Sequence, residues 1–357
     1  DEQSLYDDVS DYLRRNECAA IEPGKRTLLT LVYRKLLASS TYAIGPTLRR
    51  LADSLEQRLK QAKLGQQADA LLFEPDEIKA YSEEAEEWDD KPQKRLSAVD
   101  AMAREVWELR NFADRAEQVK VNAKGEALKR AIDRIFTVAR AHQWPEKAVI
   151  FTESKRTLEY LARLLGAHGW EGKICKLTGD AGTPEARRAL VEDFRDRAQI
   201  LLSTEAGAEG LNLQFCNLVV NYDLPWNPQR VEQRIGRCHR YGQQRDVLVL
   251  NFLNRSNAAD ARLYELLEKK LNLFDGVFGA SDEILGALEN GVDFERRVLE
   301  IYQSCRMPDE ISAAFDALRK DLESRIDQKM TEARSTLLER FDGDVRKRLR
   351  VAGDAAK

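Results

Sequence analysis

The chain has 357 residues, 43% of them hydrophobic, and a formal net charge of -4, so its length suits two or three domains with well-formed cores. No apolar run reaches the roughly 18 residues that a membrane-spanning helix needs. The five scattered cysteines contain no CxxC pair, which argues against a zinc site and a disulfide framework. We therefore expect a cytoplasmic protein without a membrane partner. Because the chain opens DEQSLYDDVS without a methionine, we expect it to be part of a longer one.

The first third of the chain is predicted to be helical and irregular. TLLTLVYRKLLASS (27–40) and TLRRLADSLEQRLKQA (47–62) carry apolar residues at helical spacing. In the second segment the leucines form one stripe: Leu48, Leu51, Leu55 and Leu59. YSEEAEEWDDKPQKR (81–95), acidic and then basic, is typical of a solvated linker. Helical spacing returns over 97–119.

In the middle of the chain, short apolar strands alternate with amphipathic helices. Five strands are predicted: KAVIFT (147–152), KICKLT (173–178), QILLST (199–204), NLVVNYD (217–223) and DVLVLNF (246–252). Three helices are predicted between them, over 154–169, 183–195 and 227–240. This alternation indicates an α/β fold whose parallel sheet is covered by helices on both faces. Ligands of such sheets bind beyond the carboxyl ends of the strands, where the loops TES, TGD and STEAGAEG fall.

The last part of the chain is predicted to be helical throughout. Apolar residues from Ile311 to Leu349 recur at spacings of three and four, which fits either a helix packed on the body or a coiled-coil arm. We therefore expect three segments: a helical segment over 1–120, an α/β lobe over 121–255 and a helical extension over 256–357.

A basic helix is predicted within VEQRIGRCHRYGQQ (231–244). It is expected to begin at WNP, because Pro228 suits a first helical position. Arg237 and Arg240 share a face and repel each other unless an anion lies between them. A solvated face explains such arginines equally well from charge alone. Gly236 favours the anion, since a glycine inside a helix costs about 1 kcal/mol relative to alanine and suggests close approach of a partner.

Four stretches of this region, taken in order, resemble a known family. They are VIFTES, LTGDAGTPEARRALVEDFR, ILLSTEAGAEGLNLQFCNLVVNYDLPWNP and QRIGRCHRYGQ. They resemble motifs IV, IVa, V and VI of superfamily-2 helicases, and the last two are most similar to Swi/Snf-like ATPases, especially the bacterial RNA-polymerase-associated members. The resemblance covers about 121–255 and implies the second RecA-like lobe of a two-lobed ATPase. TLLTLVYRKLLASS resembles the helical segment that such proteins insert after the first lobe.

The resemblance also implies roles for residues near ATP. Arg237 and Arg240 match the arginine fingers that contact the γ-phosphate, a position suited to arginine because its planar fork grips phosphate. Four more residues match nucleotide-binding positions: Gln233, Gly236, Gly210 and Asn212. Asn212 stands where many relatives have aspartate, and its amide can still bond a ribose hydroxyl.

Five residues match positions that contact nucleic acid: Thr152, Lys155, Gly179, Arg187 and Thr204. Lys155 and Arg187 are suited to phosphate contacts, although each also fits an ordinary surface charge. The chain contains neither a Walker A loop nor a Walker B acid after a buried strand. We therefore expect ATP and Mg²⁺ to be bound mainly by the first lobe, and this chain alone to hydrolyse ATP only negligibly.

The implied activity is ATP-dependent translocation on nucleic acid, which we expect to be double-stranded DNA, in the cytoplasm of a bacterium. The implied partners are the first lobe and RNA polymerase or another protein. Two alternatives stay open: a strand-separating helicase in DNA repair or antiphage defence, and a docking module that uses the acidic 81–90 run and the C-terminal helices. The residues alone do not decide between DNA and RNA.

Overall fold

The computed structural model describes most of the first 253 residues and part of the C-terminal segment. The described residues are 2–15, 18–21, 26–63, 99–119, 122–180, 182–208, 210–239, 243, 245–253, 291–305, 309–318 and 320–321. The chain divides into two compact units, residues 1–225 with 230–253 and residues 226–229 with 254–357. The division into three segments stays a prediction, and the acidic linker and Arg240 lie outside the described residues. In the described part of the chain, no helix is long and apolar enough to cross a membrane.

Among the described residues, four helices form the N-terminal part of the first unit. They are α1 (Glu2–Arg14), α2 (Arg26–Ser39), α3 (Thr41–Lys63) and α4 (Val99–Gln118). The predicted leucine stripe of α3 is buried, in a core shared with α1, α2 and α4. Gly45 brings α3 and α4 close together, because a Cβ at this position would lie 3.1 Å from the Cβ of Ala116. Arg49 then bridges the two helices through ion pairs to Asp114 and Glu117 at 2.7 and 2.8 Å.

The predicted α/β fold with a parallel sheet is confirmed. The strands are β1 (Ala148–Phe151), β2 (Ile174–Leu177), β3 (Ile200–Ser203), β4 (Leu218–Asn221) and β5 (Leu248–Asn251). Each lies inside one of the five predicted segments. The sheet order is β2-β3-β1-β4-β5, with every pair parallel. The central strand is β1, where Val149 lies between Leu201 of β3 and Val219 of β4.

In the part of the lobe that the structure describes, five helices connect or precede these strands. They are α5 (Ala123–Ala141), α6 (Lys155–Leu165), α7 (Pro184–Asp196), α8 (Glu205–Ala208) and α9 (Pro228–Cys238). Side-chain oxygens cap three of them: Asn122 accepts from the Gly125 N–H, Ser154 from Thr157 and Thr183 from Ala186. The helix predicted over 154–169 becomes α6 and a single π-helical turn, Gly166–Trp170, in which Gly169 has a φ of 103°. The basic helix begins at Pro228 as expected and ends at Cys238.

Alternate residues of the strands pack against helices on opposite faces of the sheet. On one face, Ile150 and Leu202 pack with Ile132 of α5 and Leu161 of α6. On the other face, Phe151 packs in a second cluster that includes Phe194 of α7 and Cys238 of α9. A sheet buried on both faces needs the continuous apolar strands that this sequence has.

The second unit is described in part. Helix α10 (Gly291–Ser304) is followed by helical residues 309–318. The first members of the predicted apolar stripe, Ile311, Phe315 and Leu318, are buried. Its members beyond residue 321 lie outside the described residues.

Candidate nucleotide and nucleic-acid site

Polar residues gather at the carboxyl edge of the sheet, where ligands of parallel α/β folds bind. Thr152 follows β1, Thr204 follows β3, and Asp223 lies two residues after β4. The strand order places β3 and β4 on either side of β1. The loops that the sequence singled out after β1 and β3 are therefore neighbours, and the loop after β4 joins them.

The Asp223 carboxylate is a buried centre of this edge. Its Oδ2 accepts hydrogen bonds from the hydroxyl of Thr152 at 2.5 Å, the hydroxyl of Ser39 at 2.7 Å and the backbone N–H of Glu153 at 3.1 Å. Its Oδ1 accepts from the ammonium of Lys124 at 2.9 Å. Four donors from three parts of the chain thus satisfy one carboxylate that has little access to water.

These donors keep Asp223 ionised. Burial raises the pKa of the carboxyl, but the charge of Lys124 and the hydrogen bonds from Thr152, Lys124 and Ser39 together lower the pKa by a larger amount. The net result is a pKa below the ordinary value of 3.8. Asp223 therefore carries a negative charge near neutral pH.

The end of α2 contacts the residues that surround the Asp223 carboxylate. Ser39 and Ser40 both contact the hydroxyl of Thr157 in α6, at 2.6 and 2.8 Å. Lys124 also donates to the carbonyl of Ala38 at 3.0 Å, which satisfies one of the free carbonyls at the end of a helix. The N-terminal helices are thereby joined to the lobe through buried hydrogen bonds.

Arg234 of α9 reaches the same edge and is almost completely buried, at 1% exposure. Its Nη1 donates to the Asp223 carbonyl at 2.8 Å and to Asn221 Oδ1 at 3.1 Å, and its Nε donates to Glu205 Oε2 at 2.7 Å. The guanidinium carbon lies 5.2 Å from the centre of the Phe151 ring. Arg234 therefore fixes the middle of α9 to the ends of β1 and β4 and to α8.

Arg237 lies three residues further along the same helix and differs from Arg234. Its side chain is partly buried, and its guanidinium makes no hydrogen bond or ion pair with any residue that the structure describes. The backbone of this turn is held, because the Arg237 carbonyl accepts from the Leu213 N–H at 2.9 Å. Gln233 is exposed, and a Cβ at Gly236 would meet no atom within 4 Å. The helix thus offers a fixed backbone and an arginine available to an anion.

The loop after β3 is built on short-range contacts. The Thr204 hydroxyl accepts from the Gly207 N–H at 3.3 Å, and the Thr204 N–H donates to the Leu177 carbonyl at 3.1 Å. A Cβ at Gly207 would lie 2.3 Å from that carbonyl oxygen, so only glycine fits there. Gly210 has a φ of 74°, which other residues rarely adopt. Asn212 is exposed, and its Oδ1 accepts from the Gln214 N–H at 3.1 Å.

The predicted nucleic-acid residues fall into two environments. Thr152 and Thr204 are buried, and the Thr152 hydroxyl is committed to Asp223. Lys155 is exposed and forms an ion pair with Asp180. Arg187 Nη2 donates to the carbonyls of Gly179 and Ala206 at 3.3 and 3.1 Å, which ties the loop after β2 to α8. Their predicted contacts to nucleic acid stay predictions.

Sequence reasoning missed the buried hydrogen-bond centre itself. The predicted basic helix over 231–244 includes Arg234, but the sequence suggested no role for Arg234, Asp223, Lys124 or Ser39. Asp223 did carry a signal, since a carboxylate directly after a buried strand at the ligand-binding edge needs a partner. Its partners lie far away in the chain, so no spacing pattern identifies them.

The described arrangement defines a class of protein. A model of the helicase conserved C-terminal domain matches residues 124–242, which contain the strands β1 to β4, the loops at their carboxyl ends and α9. Residues 124–242 therefore form a helicase C-terminal domain.

Relatives place the chain within that class. It is 35% identical over 230 residues to the uncharacterized ATP-dependent helicase YqhH of Bacillus subtilis, an alignment that covers 64% of this chain and 38% of that protein. It is 36% identical over 131 residues to the ISWI chromatin-remodeling complex ATPase CHR17 of Arabidopsis thaliana, covering 36% of this chain and 12% of that protein. The chain is thus a relative of Swi/Snf-type helicases and spans well under half of the length of these proteins.

Solved structures include similar chains. The C-terminal part of the Fun30 ATPase domain aligns with 17% identity and a TM-score of 0.42, over 85% of this chain and 94% of that one. The helicase domain of Pyrococcus furiosus Hef aligns with 19% identity and a TM-score of 0.44, over 73% of this chain and 55% of that one.

Proposed function

We propose that this chain is the second lobe of an ATP-dependent nucleic-acid translocase of Swi/Snf type. In this proposal Arg237 and Arg240 contact the γ-phosphate of an ATP held mainly by the first lobe, and Gln233, Gly236, Gly210 and Asn212 lie near the nucleotide. The chain alone hydrolyses ATP only negligibly. The likeness to Swi/Snf-type helicases supports the class of activity.

One observation carries the assignment of Arg237. Two arginines lie one helical turn apart, and of these two only Arg234 donates side-chain hydrogen bonds to described residues of the lobe. Arg237, whose backbone is fixed, keeps its guanidinium available among the described residues. Phosphoryl transfer is catalysed mainly by positioning and by charge placed on the transferred group, so an arginine held in this way has the required properties.

The Mg²⁺ that such reactions use is assigned to the first lobe. This chain would contribute the positive charge of its arginines, and Mg²⁺ would neutralise the phosphate oxygens from the other side of the cleft.

The nucleic-acid contacts are proposed for the loops after β1 and β2. Lys155 is exposed and pairs with Asp180, and Arg187 donates to two loop carbonyls. In this proposal both cations contact phosphate groups of the nucleic acid. Double-stranded DNA is the expected substrate. RNA polymerase as a further partner stays a prediction.

The test uses the protein that carries both lobes. ATP turnover is measured with and without a DNA duplex for the wild type, Arg237→Ala and Arg237→Lys. We expect the duplex to stimulate the wild type and Arg237→Ala to lose about 10³-fold or more in kcat, as removal of an arginine finger does. Arg237→Lys should recover little of this loss, because lysine lacks the bidentate fork.

Arg195→Ala is the matched control. Arg195 is an exposed arginine whose guanidinium pairs with Asp196 in α7, at 2.9 Å, so its removal makes the same change in charge away from α9. Turnover of Arg195→Ala should match the wild type. If Arg237→Ala turned over ATP as fast as Arg195→Ala, Arg237 would hold something other than a γ-phosphate.

A further inference from the structure

Helix α2 and helix α9 both bind Asp223. The Ser39 hydroxyl at the end of α2 donates to the Asp223 carboxylate at 2.7 Å. Arg234 in the middle of α9 donates to the backbone carbonyl of the same residue at 2.8 Å. One buried amino acid thus connects the end of α2 to the middle of α9.

The three residues that connect α2 to α9 are tightly packed. Ser39, Asp223 and Arg234 are all buried, at 2%, 7% and 1% exposure. Lys124 binds both the Asp223 carboxylate and the carbonyl of Ala38, so the end of α2 and the carboxylate are held by the same ammonium. In a water-poor interior, a buried polar group must keep its partners, and displacement of one partner is transmitted to the others.

A second contact runs parallel to this one. Lys35 of α2 lies 3.7 Å from the Glu153 carboxylate, and the Glu153 N–H donates to Asp223 at 3.1 Å. Two successive turns of α2 therefore contact the loop after β1 and Asp223. A change in the position of α2 would therefore alter contacts at the edge of the sheet that carries the candidate site.

We propose that Asp223 is a positioning residue that couples the position of α2 on the lobe to the orientation of α9. Through α9, it also couples the position of α2 to the position of Arg237. This inference rests on the proposed function for its catalytic consequence. Its structural content, a coupling between Ser39 and α9, stands separately and is measurable without ATP.

The first measurement is amide hydrogen exchange of this chain, which reports local opening of individual segments. Ser39→Ala removes the hydroxyl that binds Asp223 and leaves the carboxylate with its remaining donors. Loss of a hydrogen bond to a charged group should raise the exchange of α9 amides, residues 231–238, about tenfold. Exchange in β2, at the far edge of the sheet, should stay unchanged.

Ser40→Ala is the matched control. The Ser40 hydroxyl contacts Thr157 and the Ala43 N–H but makes no contact with Asp223. Ser40→Ala also removes a serine hydroxyl, from the residue next to Ser39, and exchange of the α9 amides should stay at the wild-type rate. Equal exchange of α9 in wild type and Ser39→Ala overturns the proposal, as does an equal rise in Ser40→Ala or a uniform rise that includes β2.

The second measurement is ATP turnover by the protein that carries both lobes. Ser39→Ala should lower kcat about fivefold and leave the KM for ATP unchanged, because positioning of Arg237 matters to the transition state. Arg237→Ala is measured beside it. If Arg237→Ala loses turnover while Ser39→Ala keeps both its kcat and its α9 protection, the coupling is wrong and the proposed function stands. If Arg237→Ala keeps turnover, the proposed function fails, and the exchange experiment still decides the coupling.

Discussion

Arg234 donates a 2.8 Å hydrogen bond to the backbone carbonyl of Asp223, two residues beyond the end of β4. This bond belongs to a set of three that leaves Arg234 only 1% exposed. Arg237, on the next turn of the same helix, has no such set among the described residues. The two arginines are alike in sequence and opposite in environment, so one serves stability and the other is available to a ligand.

The stabilities of two alanine variants should therefore differ sharply. Arg234→Ala leaves Glu205 and the Asp223 carbonyl without their donor and opens a cavity beside Phe151, so it should lower the free energy of unfolding by about 3 kcal/mol. Arg237→Ala should change it by less than about 0.5 kcal/mol. Urea denaturation of this chain measures both changes, with the variants compared at the same dependence of unfolding free energy on urea concentration. Similar midpoints for the two variants would contradict the division of roles.

Features of this structure that depend on residues close together in the sequence could be predicted, whereas contacts between distant segments could not. The five strands could be predicted because buried parallel strands are short, apolar and separated by amphipathic helices, all of which are local properties. The start of α9 at Pro228 is equally local. The end of α6 was less predictable, because Gly169, with a φ of 103°, departs from the helical backbone while its neighbours keep helical spacing.

The candidate site could be predicted only in part. Motifs located the loops at the carboxyl edge, and the structure places them there. The motifs did not show that the Thr152 hydroxyl is committed to Asp223, nor that Ser39 completes that carboxylate from the N-terminal helices. Such pairings depend on how distant segments pack, and a single sequence carries no periodicity that records them.

Acid should weaken the centre around Asp223. Its pKa in the folded chain is lowered from 3.8, mainly by Lys124 acting against the effect of burial, so its stabilising contribution is complete above that value. The contribution is lost as the pH falls from about 4 towards the lower pKa of the folded state. Asp223→Asn removes it at every pH and should cost about 3 kcal/mol near pH 7.

The difference in unfolding free energy between wild type and Asp223→Asn isolates this effect. Urea denaturation near pH 7, 5, 4 and 3 should give a constant difference in the first two conditions and a shrinking one in the last two. Other carboxyls titrate equally in both variants and cancel. A difference that stays constant down to pH 3 would show that Asp223 does not titrate with a lowered pKa.

Two glycines near the site should respond to alanine with opposite signs. Gly236 lies inside α9, and a methyl group added there would meet no atom within 4 Å, so Gly236→Ala should raise the free energy of unfolding by about 0.5–1 kcal/mol through helix propensity. Gly207→Ala places a methyl 2.3 Å from the Leu177 carbonyl oxygen and should destabilise by about 2 kcal/mol or more. Urea denaturation of this chain distinguishes the two.

The same Gly236→Ala variant tests the approach of the nucleotide. In the protein that carries both lobes, the added methyl should lower ATP turnover about tenfold, a barrier increase of roughly 1.4 kcal/mol, because in the proposed function it occupies space next to the nucleotide. A variant more stable and less active would match the assignment of Gly236 to the nucleotide site. Full turnover in the stabilised variant would place the nucleotide elsewhere.

Arg187 should contribute to nucleic-acid binding through phosphate contact. Arg187→Ala should weaken the binding of this chain to a DNA duplex by roughly tenfold at low salt and reduce the slope of log K against log salt by about 1. Fluorescence anisotropy across a salt series measures both quantities. Arg195→Ala, on the same helix with its guanidinium paired to Asp196 at 2.9 Å, should leave affinity and slope near wild type. Because Arg187 also holds the Gly179 and Ala206 carbonyls, a loss of affinity with no change in the salt slope would assign it to loop structure, since only a phosphate contact releases counterions.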